Sequence, residues 1–270
     1  MKILFIGDIV GKPGRQAAKQ LLPGLKAELS PDFIIANGEN AAGGIGITRD
    51  TAGEILEFGV DAITLGNHVW AKQDIYPYLD EEPRILRPAN YPTGPGRGFG
   101  IYSSNSGESI AVINLCGRVF MDHLENPFRT ADNILGTLKG QADVILVDFH
   151  AEATSEKMAF AWYLDGRVGA VVGTHTHVQT ADERVLPGGT AYITDVGMTG
   201  PLDSVIGVKK EIIISRFLTH MPNKFEVADG ETVLSAVLID MDSSTGRAVG
   251  IERLQKHCMN GNCCVGQERQ

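Results

Sequence analysis

Short apolar runs recur along this chain, each bounded by glycine or polar residues. Such runs are typical of buried strands in a layered α/β protein. Five of them are followed by side chains that can bind a metal ion, namely residues 2–7, 33–38, 61–66, 144–149 and 168–172. The segments between the first three are long enough for a helix and two loops, so the pattern predicts βαβ units.

Amphipathic segments between these runs predict helices. Apolar residues recur at helical spacing within residues 14–29, 48–59, 73–79, 132–138 and 155–164. Residues 83–107 are rich in proline, glycine and asparagine, which predicts a loop. Further strands are predicted at residues 109–115, 190–194, 211–218, 232–241 and 248–254. The last four follow one another without a helix, which predicts an antiparallel half-sheet late in the chain.

The ends of the five strand-like runs share one kind of chemistry. Ligands of open α/β sheets bind beyond the carboxyl ends of the strands. These ends carry Asp8, Glu39, Asn40, Asn67, His68, His150, His175 and His177. A single His-x-His pair is as consistent with two polar loop residues as with a metal site. Five strand ends with the same chemistry favour the metal site.

The set divides into ligands for two divalent ions. Glu39 is the expected bridge, because a carboxylate can offer one oxygen to each ion. The others form two groups, Asp8, Asn40 and His177 for one ion and Asn67, His150 and His175 for the other. Mixed oxygen and nitrogen ligands suit Fe, Mn or Zn better than Mg or Ca. Two such ions about 3.5–4 Å apart are suited to the hydrolysis of a phosphoester.

His68 follows Asn67 directly and is therefore expected beside the ions without being a ligand. A histidine in that position is a suitable general acid for a departing alkoxide. The alternative is a histidine that only pairs with a neighbouring carboxylate. His123 lies outside any strand end, so we expect it at the surface or near the substrate and assign it no chemistry.

Composition limits the classes of partner. The formal net charge of −9 argues against an extended nucleic-acid groove, although a small phosphorylated substrate remains compatible because bound cations would reverse the local field. No apolar run reaches the roughly 18 residues of a membrane span, and the first residues predict a strand, not a signal peptide. We therefore expect a cytoplasmic protein with no membrane partner.

The length of 270 residues favours one domain, which we place at residues 1–256. Three of the four cysteines, Cys258, Cys263 and Cys264, lie near the end of the chain. Their spacing lacks the paired C-x2-C arrangement of common zinc sites. We therefore interpret residues 257–270 as a flexible, reduced tail, with a zinc site as the alternative.

The ordered motifs resemble those of the calcineurin-like metallophosphoesterases. They are Gly7-Asp8, Asn37-Gly38-Glu39-Asn40, Gly66-Asn67-His68, His150 and Gly173-Thr174-His175-Thr176-His177. Two departures stand out: Asp8-Ile9-Val10 replaces the usual Asp-x-His, and Gly38-Glu39-Asn40 replaces the usual Gly-Asp. These departures, with the run from Thr194 to Pro201, are similar to the YmdB branch of that superfamily.

The resemblance implies a four-layer α/β/β/α sandwich with mixed sheets and a dinuclear centre, with Fe as the first choice and Mn or Zn as alternatives. It implies Asp8, Glu39, Asn40 and His177 on one ion, Glu39, Asn67, His150 and His175 on the other, and His68 as proton donor. It also implies a bacterial, cytosolic homo-oligomer that hydrolyses phosphodiesters, including 2′,3′-cyclic nucleotides.

The leading hypothesis is therefore a metal-dependent phosphodiesterase acting on small 2′,3′-cyclic nucleotides. A hydroxide held between the ions would attack phosphorus while His68 protonates the leaving ribose oxygen. One alternative is a phosphomonoesterase or protein phosphatase with the same ions. Another is a regulatory protein that binds metal and nucleotide with little turnover. A third is that the histidines never converge.

Overall fold

The computed structural model describes residues 1–259 and 262–263, and within them two mixed β-sheets carry the architecture. The helices are α1 (Gly11–Leu29), α2 (Arg49–Glu57), α3 (Ile75–Glu81), α4 (Pro127–Leu138), α5 (Thr154–Leu164) and α6 (Lys210–Thr219). The strands are β1 (Lys2–Ile6), β2 (Asp8–Ile9), β3 (Phe33–Asn37), β4 (Ala62–Thr64), β5 (Ile85–Leu86), β6 (Phe99–Ser103), β7 (Ser109–Cys116), β8 (Val144–His150), β9 (Ala170–Thr174), β10 (Arg184–Val185), β11 (Ala191–Ile193), β12 (Met198–Pro201), β13 (Thr232–Asp242), β14 (Arg247–Met259) and β15 (Asn262–Cys263).

The first sheet has the order β15-β14-β13-β1-β3-β4-β5, with the short strands β2 and β12 paired beside it. Strands β1, β3, β4 and β5 are parallel, whereas β13 and β14 are antiparallel to their neighbours. The second sheet has the order β10-β11-β9-β8-β7-β6 and is parallel from β7 through β8 and β9 to β11. Each sheet therefore presents several carboxyl ends along one edge.

Three buried apolar clusters define four layers. The first lies between the first sheet and helices α1, α2 and α3, with members such as Leu22 and Ile55. The second joins the two sheets through residues such as Phe5 and Val172. The third packs α4 and α5 on the outer face of the second sheet. Since a sheet with both faces covered needs apolar side chains on both, the interior strands read as continuous apolar runs.

The order of layers is α/β/β/α, as the family resemblance implied. Local signals explain two of the helix starts. Thr48 caps α2 and exchanges hydrogen bonds with Thr51, and Asn126 caps α4, which begins at Pro127. Both arrangements satisfy backbone N–H groups that the first turn of a helix leaves unpaired.

The strand predicted at residues 211–218 is wrong, because these residues lie in helix α6. The prediction rested on a run of β-branched and aromatic residues. Such residues favour strands where they can pack on a half-buried sheet, but in α6 Ile213 alone is buried. The backbone of α6 instead forms the hydrogen bonds of a helix, and the side chain of Ile213 is buried.

Two further predictions of strand content need correction. The segment predicted as a loop at residues 83–107 contains β5 and β6. The predicted late half-sheet is confirmed only for the β13–β14 hairpin, because β11 joins the second sheet parallel to β9. These pairings depend on partners far away in sequence, which a local pattern does not reveal.

The boundary predicted at residue 256 falls inside β14, which runs to Met259 and pairs with β15. The remainder of the predicted tail, residues 260–261 and 264–270, lies outside the described residues. Among the helices of the described chain, none combines the length and the apolar character needed to cross a bilayer.

Candidate metal centre

The polar side chains predicted from the strand ends converge between the two sheets. Strands β1, β3 and β4 of the first sheet lead directly or after a short connection to Asp8, to Glu39 and Asn40, and to Asn67. Strand β8 of the second sheet ends at His150, and β9 leads into the loop of His175 and His177. All seven predicted ligands therefore lie at the joined carboxyl edges, the place where α/β sheets bind ligands.

One group surrounds the Nε2 atom of His150. This atom is 3.0 Å from His175 Nδ1, 3.1 Å from Asn67 Oδ1 and 3.2 Å from Glu39 Oε1. The side chains of His150 and Glu39 are almost wholly buried. Glu39, His150 and His175 also offer ligand atoms that all lie within 4.8 Å of one another, which is close enough for one metal ion.

The second group surrounds Asn40. Its Nδ2 donates to Glu39 Oε1 at 3.0 Å and lies 3.1 Å from His177 Nε2. Asp8 Oδ1 is 3.8 Å from the same His177 nitrogen. Glu39 therefore contacts members of both groups, as a bridging carboxylate must.

The negative charge of Asp8 is not fully compensated by the side chains around it. The carboxylate is fully buried, and Oδ1 has no hydrogen-bond partner among the described residues. Such an oxygen is costly to bury unless a cation or donor faces it. Burial raises the pKa of Asp8 to about 6, against the lowering effect of His177 and His150.

The remaining pKa shifts indicate that the cluster favours positive charge at His150. Burial alone would lower the pKa of this imidazole, but Glu39 and Asp8 raise it to about 9. Although burial would raise the pKa of Glu39, His150 and His68 hold it well below its ordinary value. Burial, together with His150, lowers the pKa of His175 to about 3. A divalent cation would satisfy the same demand for positive charge.

The outer nitrogen of His150 is fixed by two buried residues. Its Nδ1 lies 2.9 Å from the hydroxyl of Thr174, and that hydroxyl donates to Asp148 Oδ1 at 2.7 Å. Because the Thr174 proton is directed to Asp148, the hydroxyl accepts the Nδ1 proton of His150. This assigns a proton to Nδ1 and turns Nε2 toward the cluster, as in histidines that bind metals.

The other two histidines are held in the same way. His177 Nδ1 lies 2.9 Å from the carbonyl oxygen of Ile206, and His175 Nε2 lies 3.2 Å from Glu152 Oε2. His177 Nδ1 therefore donates to a carbonyl oxygen and His175 Nε2 faces a carboxylate, so the other ring nitrogen of each histidine faces the cluster. Three separate contacts give one common result, which is a set of imidazoles preorganised to bind a cation.

The donor set fits a divalent transition metal. It combines two carboxylates, two side-chain amides and three imidazoles, and this mixture suits Fe, Mn or Zn better than Mg or Ca. Asp8, Asn40 and His177 on one side, and Asn67, His150 and His175 on the other, could each hold an ion with Glu39 between them.

His68 lies at the exposed rim of the cluster. Its Nδ1 is 3.0 Å from Asn40 Oδ1 and 3.3 Å from Glu39 Oε1, and one third of its side chain is exposed. Its backbone N–H donates to Glu39 Oε2 at 3.1 Å. Among the described residues Nε2 has no hydrogen-bond partner, so it is available to a ligand. His123 is exposed, and in the described part of the chain no contact joins it to the seven.

A buried ion pair holds the loop of His175 and His177. Lys157 Nζ donates to Asp195 Oδ2 at 2.7 Å and to the carbonyl of Thr174 at 2.8 Å. The same carboxylate oxygen accepts the backbone N–H of Thr176 at 3.0 Å and its hydroxyl at 2.7 Å. The loop is thus attached on both sides of His175.

These contacts matter because the loop is strained. His175 has φ +100° and His177 has φ +66°, a region that residues with a Cβ rarely adopt. Such backbone persists only where its surroundings fix it. Gly173 contributes as well, since a Cβ there would lie 1.8 Å from the carbonyl oxygen of Thr194.

Sequence reasoning missed the residues that support the ligands. Asp148 and Lys157 are both buried. Asp148 interrupts an apolar run, which is an available signal because a charged residue must find a partner when buried, whereas Lys157 follows polar residues and gives no such signal. The identity of that partner, Thr174 or Asp195, depends on packing between distant elements.

Comparison with known proteins finds relatives that match this chain over nearly its whole described length. The model of a family described as YmdB-like protein matches residues 4–254. A Bacillus subtilis (strain 168) protein named 2′,3′-cyclic-nucleotide 2′-phosphodiesterase is 54% identical over 255 residues, with 94% of this chain and 96% of that protein covered.

Two solved structures are also similar to this chain. The crystal structure of a Mycoplasma pneumoniae protein, described as a novel phosphatase, superposes with a TM-score of 0.90 at 36% identity and covers 95% of this chain and 93% of that one. The calcineurin-like phosphoesterase YfkN of Bacillus subtilis superposes with a TM-score of 0.59 at 12% identity, covering 94% and 90%. At that identity the likeness concerns the fold alone.

Replacing Lys157 with methionine should destabilise the protein strongly, because Asp195 would keep a buried charge without its partner. Breaking a buried pair in this way costs about 3–5 kcal/mol. The free energy of unfolding from urea titration measures the effect. Lys209→Met is the matched control, since the Lys209–Glu226 pair has the same 2.7 Å separation but is solvent-exposed, and its loss should change stability little. Equal losses in the two variants would contradict the assignment.

Proposed function

This chain belongs to the YmdB-like family and has the fold of a calcineurin-like phosphoesterase, and from that premise we propose that it is a metal-dependent phosphodiesterase whose substrates are 2′,3′-cyclic nucleotides. The supporting observation is the cluster of three histidines whose inner nitrogens face two buried carboxylates, Asp8 and Glu39. The substrate class rests on the 54% identical Bacillus subtilis protein, whose name specifies 2′,3′-cyclic nucleotides.

We propose two divalent ions per chain, with Fe as the native metal and Mn or Zn as substitutes. Asp8, Glu39, Asn40 and His177 would hold one ion, and Glu39, Asn67, His150 and His175 the other. Ions bound there would neutralise the phosphate and lower the pKa of a coordinated water. The buried and uncompensated Oδ1 of Asp8 supports a cation on the first side.

The protein groups contribute orientation and a proton. Asn40 Oδ1 accepts from His68 Nδ1, which leaves the second ring nitrogen of His68 directed away from the carboxylates. The carboxylate of Glu39 lies 3.3 Å from the same Nδ1. A proton on Nε2 can then pass to the ribose oxygen as its bond to phosphorus breaks, which is general acid catalysis. The partial exposure of His68 allows the substrate to reach it.

His68→Ala should reduce kcat for 2′,3′-cyclic AMP by about 10²- to 10⁴-fold, the usual contribution of a general acid. Metal content, measured by elemental analysis, should stay at the wild-type value because His68 is not a ligand. For a diester with a nitrophenolate leaving group, the same variant should lose far less of its kcat, since that anion departs without a proton. His257→Gln, at an exposed ion pair with Glu231, is the control.

An equal loss on both diesters would contradict a proton-donating role for His68. Turnover of a phosphomonoester alone would be consistent with the proposed metal centre but would contradict the proposal that the substrate is a diester. Metal binding without turnover of either ester would favour a regulatory binding protein. These outcomes separate the three functions that share this donor set.

Glu39→Gln should abolish binding of at least one ion, because the variant removes the charge that lies between the two ligand groups. Wild-type protein loaded anaerobically with Fe(II), or with Mn(II), should hold two ions per chain by elemental analysis after dialysis. Glu57→Gln, a change at an exposed carboxylate of α2, should leave that value unchanged. A value of two ions in the Glu39 variant would refute its bridging role.

We also propose that the chain forms a homo-oligomer through α6 and the segment after it. Large apolar side chains are exposed there, among them Phe217 (77%), Leu218 (78%) and Met221 (64%). Contiguous apolar surface of this kind marks protein interfaces.

We place this enzyme in the bacterial cytoplasm, in agreement with its bacterial relative and with the buried, unpaired thiol of Cys116.

Aspartate at both Phe217 and Leu218 should dissociate the oligomer, because a charged group cannot be buried in an apolar interface without a partner. Sedimentation velocity would show a shift to the mass of one chain, with an unchanged circular dichroism spectrum. Val249→Asp is the control, since Val249 is 72% exposed and lies on β14, away from α6. Wild-type protein that sediments as a single chain would refute the interface.

A further inference from the structure

An aromatic cavity lies beside the candidate metal centre. It has a volume of about 240 Å³ and is lined by Trp70, Tyr76, Tyr91 and residues 92–95. The ring of Trp70 meets Tyr76 at a centroid distance of 5.5 Å and Tyr91 at 5.9 Å, both edge to face. None of the described lining residues carries a charge, so the cavity suits a flat, neutral group and not a phosphate.

Two connections tie this cavity to the metal centre. Trp70 is two residues beyond His68 in the same turn, in which Ala71 N–H donates to the carbonyl of His68 at 3.0 Å. The hydroxyl of Tyr91 lies 3.5 Å from the carbonyl oxygen of Asn67. A ligand with its phosphate at the metal centre would therefore have this cavity as a neighbour on the side of Asn67 and His68.

We propose that this cavity binds the nucleobase of the substrate. The inference rests on the proposed phosphodiesterase function and adds the subsite that distinguishes a nucleotide from other diesters. Aromatic side chains bind bases through their π-faces, whatever the base. The cavity is smaller than the roughly 300–1,000 Å³ of sites that enclose a drug-sized ligand, which fits a base whose ribose and phosphate lie outside it.

The backbone of residue 94 offers a direct way to fill the cavity. A Cβ added at Gly94 would lie 3.2 Å from Trp70 Cη2, so the methyl groups of a valine would occupy the space beside the indole. Gly94 is exposed and its φ lies outside the left-handed region, so Gly94→Val is compatible with the backbone. The variant keeps all three aromatic rings and every predicted metal ligand.

The test compares two substrates that differ only in the base, which are 2′,3′-cyclic AMP and the 2′,3′-cyclic phosphate of methyl riboside. Wild-type kcat/KM should favour the nucleotide by about 5- to 150-fold, the range expected for stacking of one base. Gly94→Val should remove most of this preference through a raised KM for the nucleotide. Its kcat/KM for the methyl riboside should stay at the wild-type value.

A second pair of variants tests whether Gly94→Val acts by filling the cavity or only by disturbing the loop that contains residue 94. Tyr76→Leu removes a ring that lines the cavity, whereas Tyr78→Leu changes a half-buried tyrosine of the same helix that does not line it. The first should reduce the preference for the nucleotide, and the second should not. Equal effects of Gly94→Val on both substrates, or no wild-type preference, would overturn the base subsite while leaving the phosphodiesterase function intact.

Failure of the enzyme to hydrolyse either substrate would refute the proposed function, and a binding measurement then decides the subsite. Calorimetry with adenosine 3′-phosphate and with the 3-phosphate of methyl riboside compares the same two ligand classes without turnover. Tighter binding of the adenosine compound that is lost in Gly94→Val supports the subsite. Equal dissociation constants for the two compounds overturn it.

Discussion

The burial of two carboxylates at one point constrains the rest of this structure. Asp8 and Glu39 are almost fully removed from water, where an uncompensated charge costs several kcal/mol. Glu39 is compensated by His150, by the side chain of Asn40 and by the backbone N–H of His68. Asp8 receives the backbone N–H of His175 at 3.3 Å, but its other oxygen has no hydrogen-bond partner among the described residues. A cation is the natural completion of this arrangement.

The two sheets bring these groups together because their carboxyl ends share an edge. Close approach requires glycine where the backbone passes the ligands. A Cβ at Gly66 would lie 2.2 Å from Glu39 Oε2 and 2.3 Å from His150 Nε2, so a larger residue would displace both. The apolar layers exclude water from the cluster, which strengthens the attraction between its charges. The fold and the chemistry of the cluster therefore depend on the same packing.

A shell of hydrogen bonds converts proximity into defined orientation. Asp148 and Thr174 fix His150, and Lys157 and Asp195 fix the strained loop that carries the other two histidines. Groups held in this way need little rearrangement when a substrate binds, which favours catalysis by fixed charges. The exposed positions differ from this shell: His68 lies at the rim of the cluster, and the cavity beside it is lined by uncharged residues, three of them aromatic.

The sequence alone determined the layered α/β architecture and the set of side chains at the strand ends, because burial imposes apolar runs and each run stops where polar residues begin. It did not determine α6, whose β-branched residues favour a strand although the structure buries only Ile213 and forms a helix. Only the tertiary structure showed that Lys157 meets Asp195 and that Trp70, Tyr76 and Tyr91 line one cavity. Those contacts join residues from different elements and loops, and no local pattern records which of them will meet.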